Sequence, residues 1–333
     1  MANLLVNTLA VVGVTFVAYV VHAIWDFVSL HFFLPTQPLR LYHRGDGPGP
    51  AYALITGGSA GIGLGVALEL VRQGFGVILL GHLADELEQA KRTLVELSPS
   101  GGAEVRTVVM DARTATPKDL EELVHSLDDQ ALQVSILVNN VGGNPIELPP
   151  LRKMSTYSCA DVDAVIAQNA RFMACLTALM LPLLSRAPSR PDERSLIINM
   201  SSAGYVGSPF LAMYGATKAF NLALSRGIAR ELDIGRTTRH VDCLAIIPGD
   251  VRSQGNSRGV TPGAPRWDAY GRCLLRTVDG AVSRKMRDLS PYWKHDLELR
   301  AMPWLDEARL TTELTKVIKR KKDAWDEYFS KTQ

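Results

Sequence analysis

A tyrosine and a lysine four residues apart are the side chains in this sequence best suited to acid–base chemistry. Tyr214 and Lys218 belong to the run YGATK, and their spacing places them on one face of a helix. A phenol with its ordinary pKa of about 10 is a poor acid at neutral pH, but a nearby ammonium favours the phenolate and lowers that pKa. The pair therefore predicts a proton donor to a carbonyl oxygen whose carbon receives hydride, although the same spacing also occurs by chance on surface helices.

Two hydroxyl groups precede this helix at the end of a predicted strand. Ser201 and Ser202 follow the apolar run IINM, and open α/β sheets bind their ligands at the carboxyl ends of strands. A serine hydroxyl at this edge could polarise the carbonyl oxygen of a substrate.

A glycine-rich loop, TGGSAGIG, runs from Thr56 to Gly63 between an apolar run and a predicted helix. Gly57 permits a tight turn, whereas Gly61 and Gly63 allow backbone and helix to approach closely. The loop N–H groups and the positive end of the helix would then face a pyrophosphate. The context of strand, loop and helix favours a dinucleotide site over a plain turn.

The end of the second predicted strand bears on the choice between the two nicotinamide dinucleotides. A carboxylate at this position would hold the ribose 2′-hydroxyl of NAD(H), but the sequence has Gly81 and His82 there. A histidine could face a 2′-phosphate, so the sequence favours NADP(H) with NAD(H) as the alternative. His82 could equally be an exposed loop side chain without a role.

The elements that must position these groups alternate along the chain. Apolar runs predict strands at 51–55, 77–80, 105–110, 136–138, 195–200 and 240–247. Helical patterns separate them at 64–73, 84–97, 117–127, 160–184 and 213–232. This alternation predicts an α/β fold: a doubly wound parallel sheet of Rossmann type in a single domain. We assign the domain to residues 50–280 and a C-terminal helical extension to 281–333.

The amino-terminal segment, residues 1–36, is predicted to anchor the chain in a membrane. Residues 4–21 are almost wholly apolar, and about 20 such residues cross a bilayer as a helix. The first basic residues, Arg40 and Arg44, follow the segment, which predicts that the domain lies on the cytoplasmic side. Asp26 interrupts the apolar stretch, so a hairpin or an interfacial helix is one alternative and a cleaved signal peptide another. Residues 45–50, GDGPGP, read as a linker.

Composition excludes several other classes of protein. Because 36 Lys and Arg residues face 34 Asp and Glu residues, the net charge of +2 argues against nucleic-acid binding. The four cysteines form no CxxC or Cys/His cluster, so we expect neither a disulfide framework nor a metal site; they are Cys159, Cys175, Cys243 and Cys273.

Taken in order, these motifs resemble those of the short-chain dehydrogenase/reductases over about residues 50–280. The glycine loop matches TGxxxGxG, and Asn139-Asn140-Val141-Gly142 matches the NNAG motif with valine in place of alanine. Further matches are an acidic residue after the third strand, an asparagine in the long helix and a PG pair after the last strand, namely Asp111, Asn169 and Pro248-Gly249. Ser253 replaces the usual threonine.

The resemblance implies roles for individual residues. Ser201 stands thirteen positions before Tyr214, as the catalytic serine does in the family, and is identified as the residue that orients the carbonyl. Tyr214 would donate the proton, Lys218 would bind the nicotinamide ribose, and Asn169 would hold a water that links Lys218 to solvent. The implied cofactor contacts are Thr56, Gly57, Ser59, Gly61, Ile62, Gly63, His82, Asp111, Asn139, Asn140, Gly142, Tyr214, Lys218, Pro248, Gly249, Val251 and Ser253.

An apolar segment before such a domain resembles the branch of very-long-chain 3-oxoacyl-CoA reductases and 17β-hydroxysteroid dehydrogenases. That branch implies an NADPH-dependent enzyme of fatty-acid elongation in the endoplasmic reticulum membrane. His82 replaces an arginine usual there, and the chain ends without a dilysine signal. The alternatives are a steroid, a sphingoid ketone or another small secondary alcohol as substrate, and a non-catalytic dinucleotide-binding scaffold. The family also implies a homodimer paired through the helices at 160–184 and 213–232.

Two further segments carry expectations. Residues 253–265, rich in glycine, serine and proline, are a candidate mobile lid over cofactor and substrate, with a disordered surface loop as the alternative. Residues 306–330 predict a helix rich in lysine. Its basic face is expected either to be solvated or to contact anionic headgroups or an acyl-CoA phosphate.

Overall fold

The computed structural model describes residues 2–33, 39–44, 49–98, 103–146 and 149–332. Residues 34–36 of the predicted membrane segment and residues 45–48 of the predicted linker lie outside the described residues.

Seven parallel strands form one sheet in the order β3-β2-β1-β4-β5-β6-β7. The strands are β1 Tyr52–Thr56, β2 Gly76–Gly81, β3 Val105–Val109, β4 Val134–Asn139, β5 Ser195–Met200, β6 Val241–Ile246 and β7 Asp288–Leu289. The strand order reverses between β1 and β4, so a crevice opens at their carboxyl ends. The predicted doubly wound sheet is confirmed.

The seventh strand was not predicted. It is two residues long and pairs with β6, where Ala245 and Ile246 lie beside Asp288 and Leu289. So short a run carries no periodic signal in the sequence. Since β7 completes the sheet, the boundary placed at residue 280 falls inside the folded unit: it cuts the helix Trp267–Ser283, and the predicted extension contains a strand of the same sheet.

Helices cover both faces of the sheet. They are α1 Ala2–Phe32, α2 Gly61–Arg72, α3 Ala84–Glu96, α4 Pro117–Asp129, α5 Cys159–Ile166, α6 Phe172–Leu184, α7 Ala212–Ile234, α8 Trp267–Ser283, α9 Trp293–Ala301 and α10 Glu307–Thr332. Alternate strand residues face opposite layers, so Ile55 packs with α2, α3 and α8 while Leu54 packs with α4, α6 and α7. Both strand faces are apolar for this reason.

The long helix predicted at 160–184 is divided by one π-helical turn, Ala167–Arg171, between α5 and α6. Asn169 lies in this turn and is completely buried. Such turns widen the helix by one residue and frequently mark functional positions. The turn therefore sets the direction of the Asn169 side chain, which the regular helix predicted from sequence would not.

The amino-terminal helix α1 is continuous, and the described side chains of its first part make no packing contact with the domain. Its apolar side chains are exposed as far as Trp25, and the final turns then pack on the domain, where Leu30 is buried. Asp26, the charged residue that interrupts the apolar stretch, forms an ion pair with Arg284 of the domain at 2.9 Å. This ion pair is part of the contact between α1 and the domain.

By length and composition alone, two described helical stretches could cross a membrane, Asn3–Phe32 and Cys159–Leu184. The second packs against the sheet through side chains such as Leu176 and belongs to the core. The stretch formed by α1, by contrast, exposes most of its apolar side chains.

Candidate active site

The glycine-rich loop is fixed by hydrogen bonds between the ends of β1 and β4. The Thr56 hydroxyl accepts the N–H groups of Asn140 and Val141 at 2.9 and 3.0 Å. The Asn140 amide donates to the carbonyl oxygen of Gly57 at 3.1 Å. Thr56 is completely buried, so it joins two strand ends instead of facing the crevice as a cofactor contact would.

The start of α2 has the features of an anion site. Its N-cap is Ala60, which has no side-chain oxygen to accept the first N–H groups, and its first turn has no acidic residue. Helices α4 and α5, by contrast, are closed by capping boxes at Thr116 and Ser158. The first four N–H groups of a helix lack partners within it, so those of α2 can bind a pyrophosphate.

Two glycines keep this cradle open. Gly61 has a φ of +56°, a conformation that L side chains rarely adopt. At Gly63 a Cβ atom would overlap the carbonyl oxygen of Gly57, so the loop could not close on the helix. The predicted roles of these glycines agree with this geometry, and the residues present fit a dinucleotide.

Tyr214 and Lys218 lie together on α7, as predicted. The Lys218 Nζ atom lies 5.6 Å from the centre of the Tyr214 ring and donates to the carbonyl oxygen of Met200 at 3.1 Å. A Cβ atom at Gly142 would lie 2.8 Å from the same Nζ, so a side chain there would displace the ammonium. The lysine therefore lies between the ends of β4 and β5.

Burial controls the acidity of both groups. It lowers the pKa of the Lys218 ammonium to about 8 because the charged form loses its hydration. Burial also raises the pKa of the Tyr214 phenol, and a hydrogen bond with Ser202 offsets only part of that increase. This is the opposite of the lowering predicted from the sequence, because desolvation outweighs the hydrogen bond with Ser202.

The two serines differ in a way that the sequence spacing did not reveal. Ser201 is 2% exposed, and its hydroxyl donates to the carbonyl oxygen of Lys218 at 2.8 Å. The Ser202 side chain instead contacts the Tyr214 hydroxyl and accepts the N–H of Gly204 at 3.2 Å. This geometry corrects the assignment of Ser201: the hydroxyl beside the tyrosine is that of Ser202.

The correction has a local physical cause. A 3₁₀ turn, Ala203–Val206, begins at Ser202, whose side chain caps it. The loop that leads from this turn to α7 sets how many residues separate serine and tyrosine. A count along the sequence is therefore a weaker guide than the direction of each hydroxyl.

Asn169 is bonded to backbone. Its Oδ1 accepts the N–H of Gly143 at 2.9 Å, and its Nδ2 donates to the Gly143 carbonyl at 2.8 Å. These bonds fix the loop in which Gly142 faces Lys218. The water link to Lys218 that the family implies stays a prediction.

Asn139 lies in the core, away from the crevice. Its Nδ2 donates to the Thr177 hydroxyl and to the Asn199 Oδ1, both at 2.8 Å, and the residue is 3% exposed. We therefore correct the role predicted for its side chain: the Asn139 amide links β4, β5 and α6 within the core.

The adenosine end of the crevice carries charges of both signs. His82 is exposed at the end of β2, as predicted. Asp111 forms an ion pair with Arg113 at 2.6 Å, and hydrogen bonding by that guanidinium lowers the pKa of the carboxyl group. The Ser59 hydroxyl donates to the Glu86 carboxylate at 3.3 Å. Sequence reasoning missed Glu86 because it sought a carboxylate at the strand end, not on the first turn of α3.

The segment after β6 borders the crevice on the side opposite the adenosine end. The carbonyl of Pro248 accepts the N–H of Ala203 at 2.8 Å, and the N–H of Gly249 donates to Nδ1 of His295 at 3.2 Å. Burial lowers the pKa of His295 to about 4, so the ring stays neutral and can accept this bond. His295 was also missed, because it is distant in sequence and has no motif around it.

Ser253 reaches the glycine-rich loop. A Cβ atom at Gly61 would lie 3.4 Å from the Ser253 Cβ, so the two loops run close to each other. Val251, between Gly249 and Ser253 in the sequence, is buried, and its carbonyl oxygen accepts a hydrogen bond from the Asn256 side-chain amide at 2.8 Å. The predicted contacts on this segment thus lie beside the predicted phosphate site, and Ile62 packs below it against the core.

Comparison with known proteins agrees with this geometry. The model of the short chain dehydrogenase family matches residues 51–260. The chain belongs to the short-chain dehydrogenase family. It is accordingly an NAD(P)-dependent oxidoreductase.

Its similar relatives include very-long-chain 3-oxoacyl-CoA reductases of fungi. That of Emericella nidulans is 28% identical over 286 residues, covering 84% of this chain and 77% of the relative. That of Coccidioides immitis is 29% identical over 270 residues, covering 80% and 72%.

Solved structures share the fold. A short-chain dehydrogenase from Salmonella enterica superposes with a TM-score of 0.63 at 20% identity, covering 77% of this chain and 98% of that protein. A short-chain dehydrogenase from Sphingobium yanoikuyae, solved in complex with NADPH, gives 0.58 at 23% identity over 72% and 87%.

The two serines can be separated by mutation. We expect Ser202→Ala to reduce the turnover of a carbonyl substrate about 100-fold, since a hydrogen bond at the reacting oxygen is lost. Ser201→Ala should leave turnover within about tenfold and instead destabilise the fold by about 1 kcal/mol through loss of its buried hydrogen bond. Steady-state kinetics and urea unfolding of both variants test this. A larger loss of turnover in Ser201→Ala would restore the assignment made from spacing.

The lowered pKa of Lys218 predicts a pH dependence. Its ammonium is present below about pH 8 and is lost as the pH rises through that value. Because kcat/KM reports the ionisation of the free enzyme, kcat/KM for reduction should fall about tenfold per pH unit above pH 8. Residual activity of Lys218→Arg should show no such fall, since a guanidinium keeps its charge. A wild-type profile that stays flat to about pH 9.5 contradicts this prediction.

Proposed function

We propose that the protein reduces the carbonyl group of a lipid-like substrate, the 3-oxo group of a long acyl-CoA, to a hydroxyl with NADP(H). The observation that carries the proposal is the convergence of Tyr214, Lys218 and Ser202 at the carboxyl edge of the sheet. This edge belongs to the same folded unit on which the apolar helix α1 is docked. The fungal relatives named very-long-chain 3-oxoacyl-CoA reductases support the substrate class.

Each of the three side chains has a separate task. A bound nicotinamide dinucleotide supplies the hydride. Tyr214 donates the proton from its hydroxyl to the carbonyl oxygen. Ser202 binds that oxygen beside the tyrosine hydroxyl, and the Lys218 ammonium stabilises the negative charge that develops there. These interactions strengthen as charge accumulates on oxygen, which is the requirement for catalysis.

Membrane anchoring through α1 would suit such a substrate. The helix has 31 residues, and its apolar side chains are exposed up to the turns that pack on the domain. An acyl chain partitions into a bilayer with about 0.8 kcal/mol per CH₂ group, so an anchored enzyme meets it at high local concentration. We place the protein in the endoplasmic reticulum membrane. Arg40 and Arg44, after the helix, favour a domain on the cytoplasmic side.

The preference for NADP(H) is supported by the missing carboxylate at Gly81 and His82. Glu86 opposes it, since its carboxylate lies beside Ser59 at the ribose end and would repel a 2′-phosphate. We propose NADP(H) as the preferred cofactor, with a preference that Glu86 limits.

A homodimer paired through α5–α6 and α7 also belongs to the proposal. Ile166 on α5 and Phe220 on α7 are 41% and 44% exposed, which leaves apolar contacts for a second copy.

A substrate panel tests the activity. Purified full-length protein in detergent, supplied with NADPH, should reduce 3-oxoacyl-CoAs with a kcat/KM that rises with acyl length. Tyr214→Phe should bind dinucleotide normally but lose turnover by at least about 100-fold. A steroid or sphingoid ketone reduced faster than every acyl-CoA would select that substrate class instead. Full turnover by Tyr214→Phe would remove the proposed mechanism.

The cofactor proposal has its own test. Glu86→Gln should tighten NADPH binding about threefold to tenfold by removing a like charge, while NADH affinity stays unchanged or weakens. Titration of the dinucleotides by fluorescence measures both affinities. Glu88→Gln is the matched control, because that carboxylate bonds to Thr107, not to the glycine-rich loop. Tighter binding of NADH than of NADPH by the wild type would reverse the proposed preference.

A further inference from the structure

The C-terminal helix α10 lies outside the segment that the family model matches, residues 51–260. It forms hydrogen bonds with the chain that follows β6. The Lys321 ammonium donates to the Asp250 carboxylate at 2.8 Å and to the Asn256 Oδ1 at 2.6 Å. The Arg320 guanidinium donates to the Thr261 hydroxyl at 2.6 Å and to the Gly259 carbonyl at 3.0 Å. We call residues 250–261 the closing segment.

Packing supplements these polar contacts. Gly259 has a φ of +59°, and a Cβ atom there would lie 2.6 Å from the Lys321 Cα, so the helix backbone approaches at a position that requires glycine. The Arg258 guanidinium lies 3.3 Å from the centre of the Tyr328 ring and 5.1 Å from that of Trp325. Cation–π contacts of this kind add to the attachment.

These contacts change two expectations from the sequence. The stretch 253–265 was expected to be a mobile lid, but the structure attaches its first half to α10. The basic face of α10 was expected either to be solvated or to contact anionic headgroups or an acyl-CoA phosphate. Arg320 and Lys321 bind the closing segment, whereas Lys316 and Lys319 are exposed to solvent and Lys316 and Lys322 pair with Glu313 and Asp326 on the same helix.

The other end of the closing segment lies beside the candidate site. Ser253 is close enough to Gly61 of the glycine-rich loop that a Cβ atom added at Gly61 would lie 3.4 Å from the Ser253 Cβ, and Gly249, directly before the segment, donates its N–H to His295. Burial opposes the charge on Asp250, but hydrogen bonds from Lys321 and Thr261 lower its pKa to about 2. The Asp250 carboxylate is thus charged throughout the physiological range. The side chains of Asp250 and Lys321 are only 12% and 14% exposed, so solvent screens their ion pair weakly.

We infer that Lys321 and Arg320 are positioning residues that hold the closing segment against the glycine-rich loop and thereby set how long a dinucleotide stays bound. The inference rests on dinucleotide binding at the proposed site. On this inference a dinucleotide leaves when the closing segment moves away from the glycine-rich loop, and the bonds of Asp250, Asn256 and Thr261 to α10 oppose that movement. Neither cation touches the reacting groups, so the effect falls on binding and release.

The test is the dissociation rate of NADPH from the full-length protein, followed by stopped-flow fluorescence during a chase with excess NADP⁺. Lys321→Met should release NADPH about tenfold faster than the wild type, because one buried partner of the ion pair is lost. Lys321→Arg should restore a rate near that of the wild type. Lys319→Met removes the same charge from an exposed position of α10 and should leave the rate unchanged.

A double-mutant cycle distinguishes positioning from general destabilisation. Asp250→Asn should also accelerate release, and the double variant Asp250→Asn/Lys321→Met should be no faster than the faster single variant. If Lys321→Met does not fold, Asp250→Asn alone tests the contact from the side of the loop.

The outcomes separate the two proposals. Release at the wild-type rate in both single variants overturns this inference while leaving the proposed function intact. A wild-type protein that binds neither NADPH nor NADH overturns the inference and the proposed function together.

Discussion

The burial of one lysine is the constraint on which the site depends. Lys218 is 3% exposed and its ammonium donates to the carbonyl oxygen of Met200. Removing an ammonium from water is costly, and burial lowers its pKa to about 8. The same low dielectric strengthens the interaction of the ammonium charge with a substrate oxygen that becomes negative nearby. The fold must therefore keep this cation buried and correctly placed.

Cross-links between strand ends keep that placement. Thr56 joins β1 to β4, Asn169 fixes the loop that follows β4, and the Ala203 N–H joins the turn after β5 to Pro248 after β6. None of these groups needs to touch a substrate. Their contribution is preorganisation, since polar groups that are already oriented do not have to rearrange when charge develops.

Helix α9 connects the amino-terminal helix α1 to the loop that follows β6 at the carboxyl edge of the sheet. On this helix His295 accepts the N–H of Gly249, and its neighbour Asp296 bonds to His31 of α1 at 2.9 Å. The apolar helix proposed to enter a membrane is thus connected through two adjacent residues to the loop beside the candidate site. Helix α10 holds the following segment from the other side. The C-terminal extension is therefore part of the site's architecture.

Local sequence was sufficient for the strand–helix alternation, the glycine-rich loop, the pairing of Tyr214 with Lys218 and the apolar helix α1, because each depends on neighbours within a few turns or on one strand. Side-chain direction and long-range pairing needed the tertiary structure. Only there does Ser202 turn towards the tyrosine while Ser201 and Asn139 enter the core. Likewise β7, His295 and Lys321 acquire their roles from partners more than forty residues away, and neither a periodicity nor a short motif records such contacts.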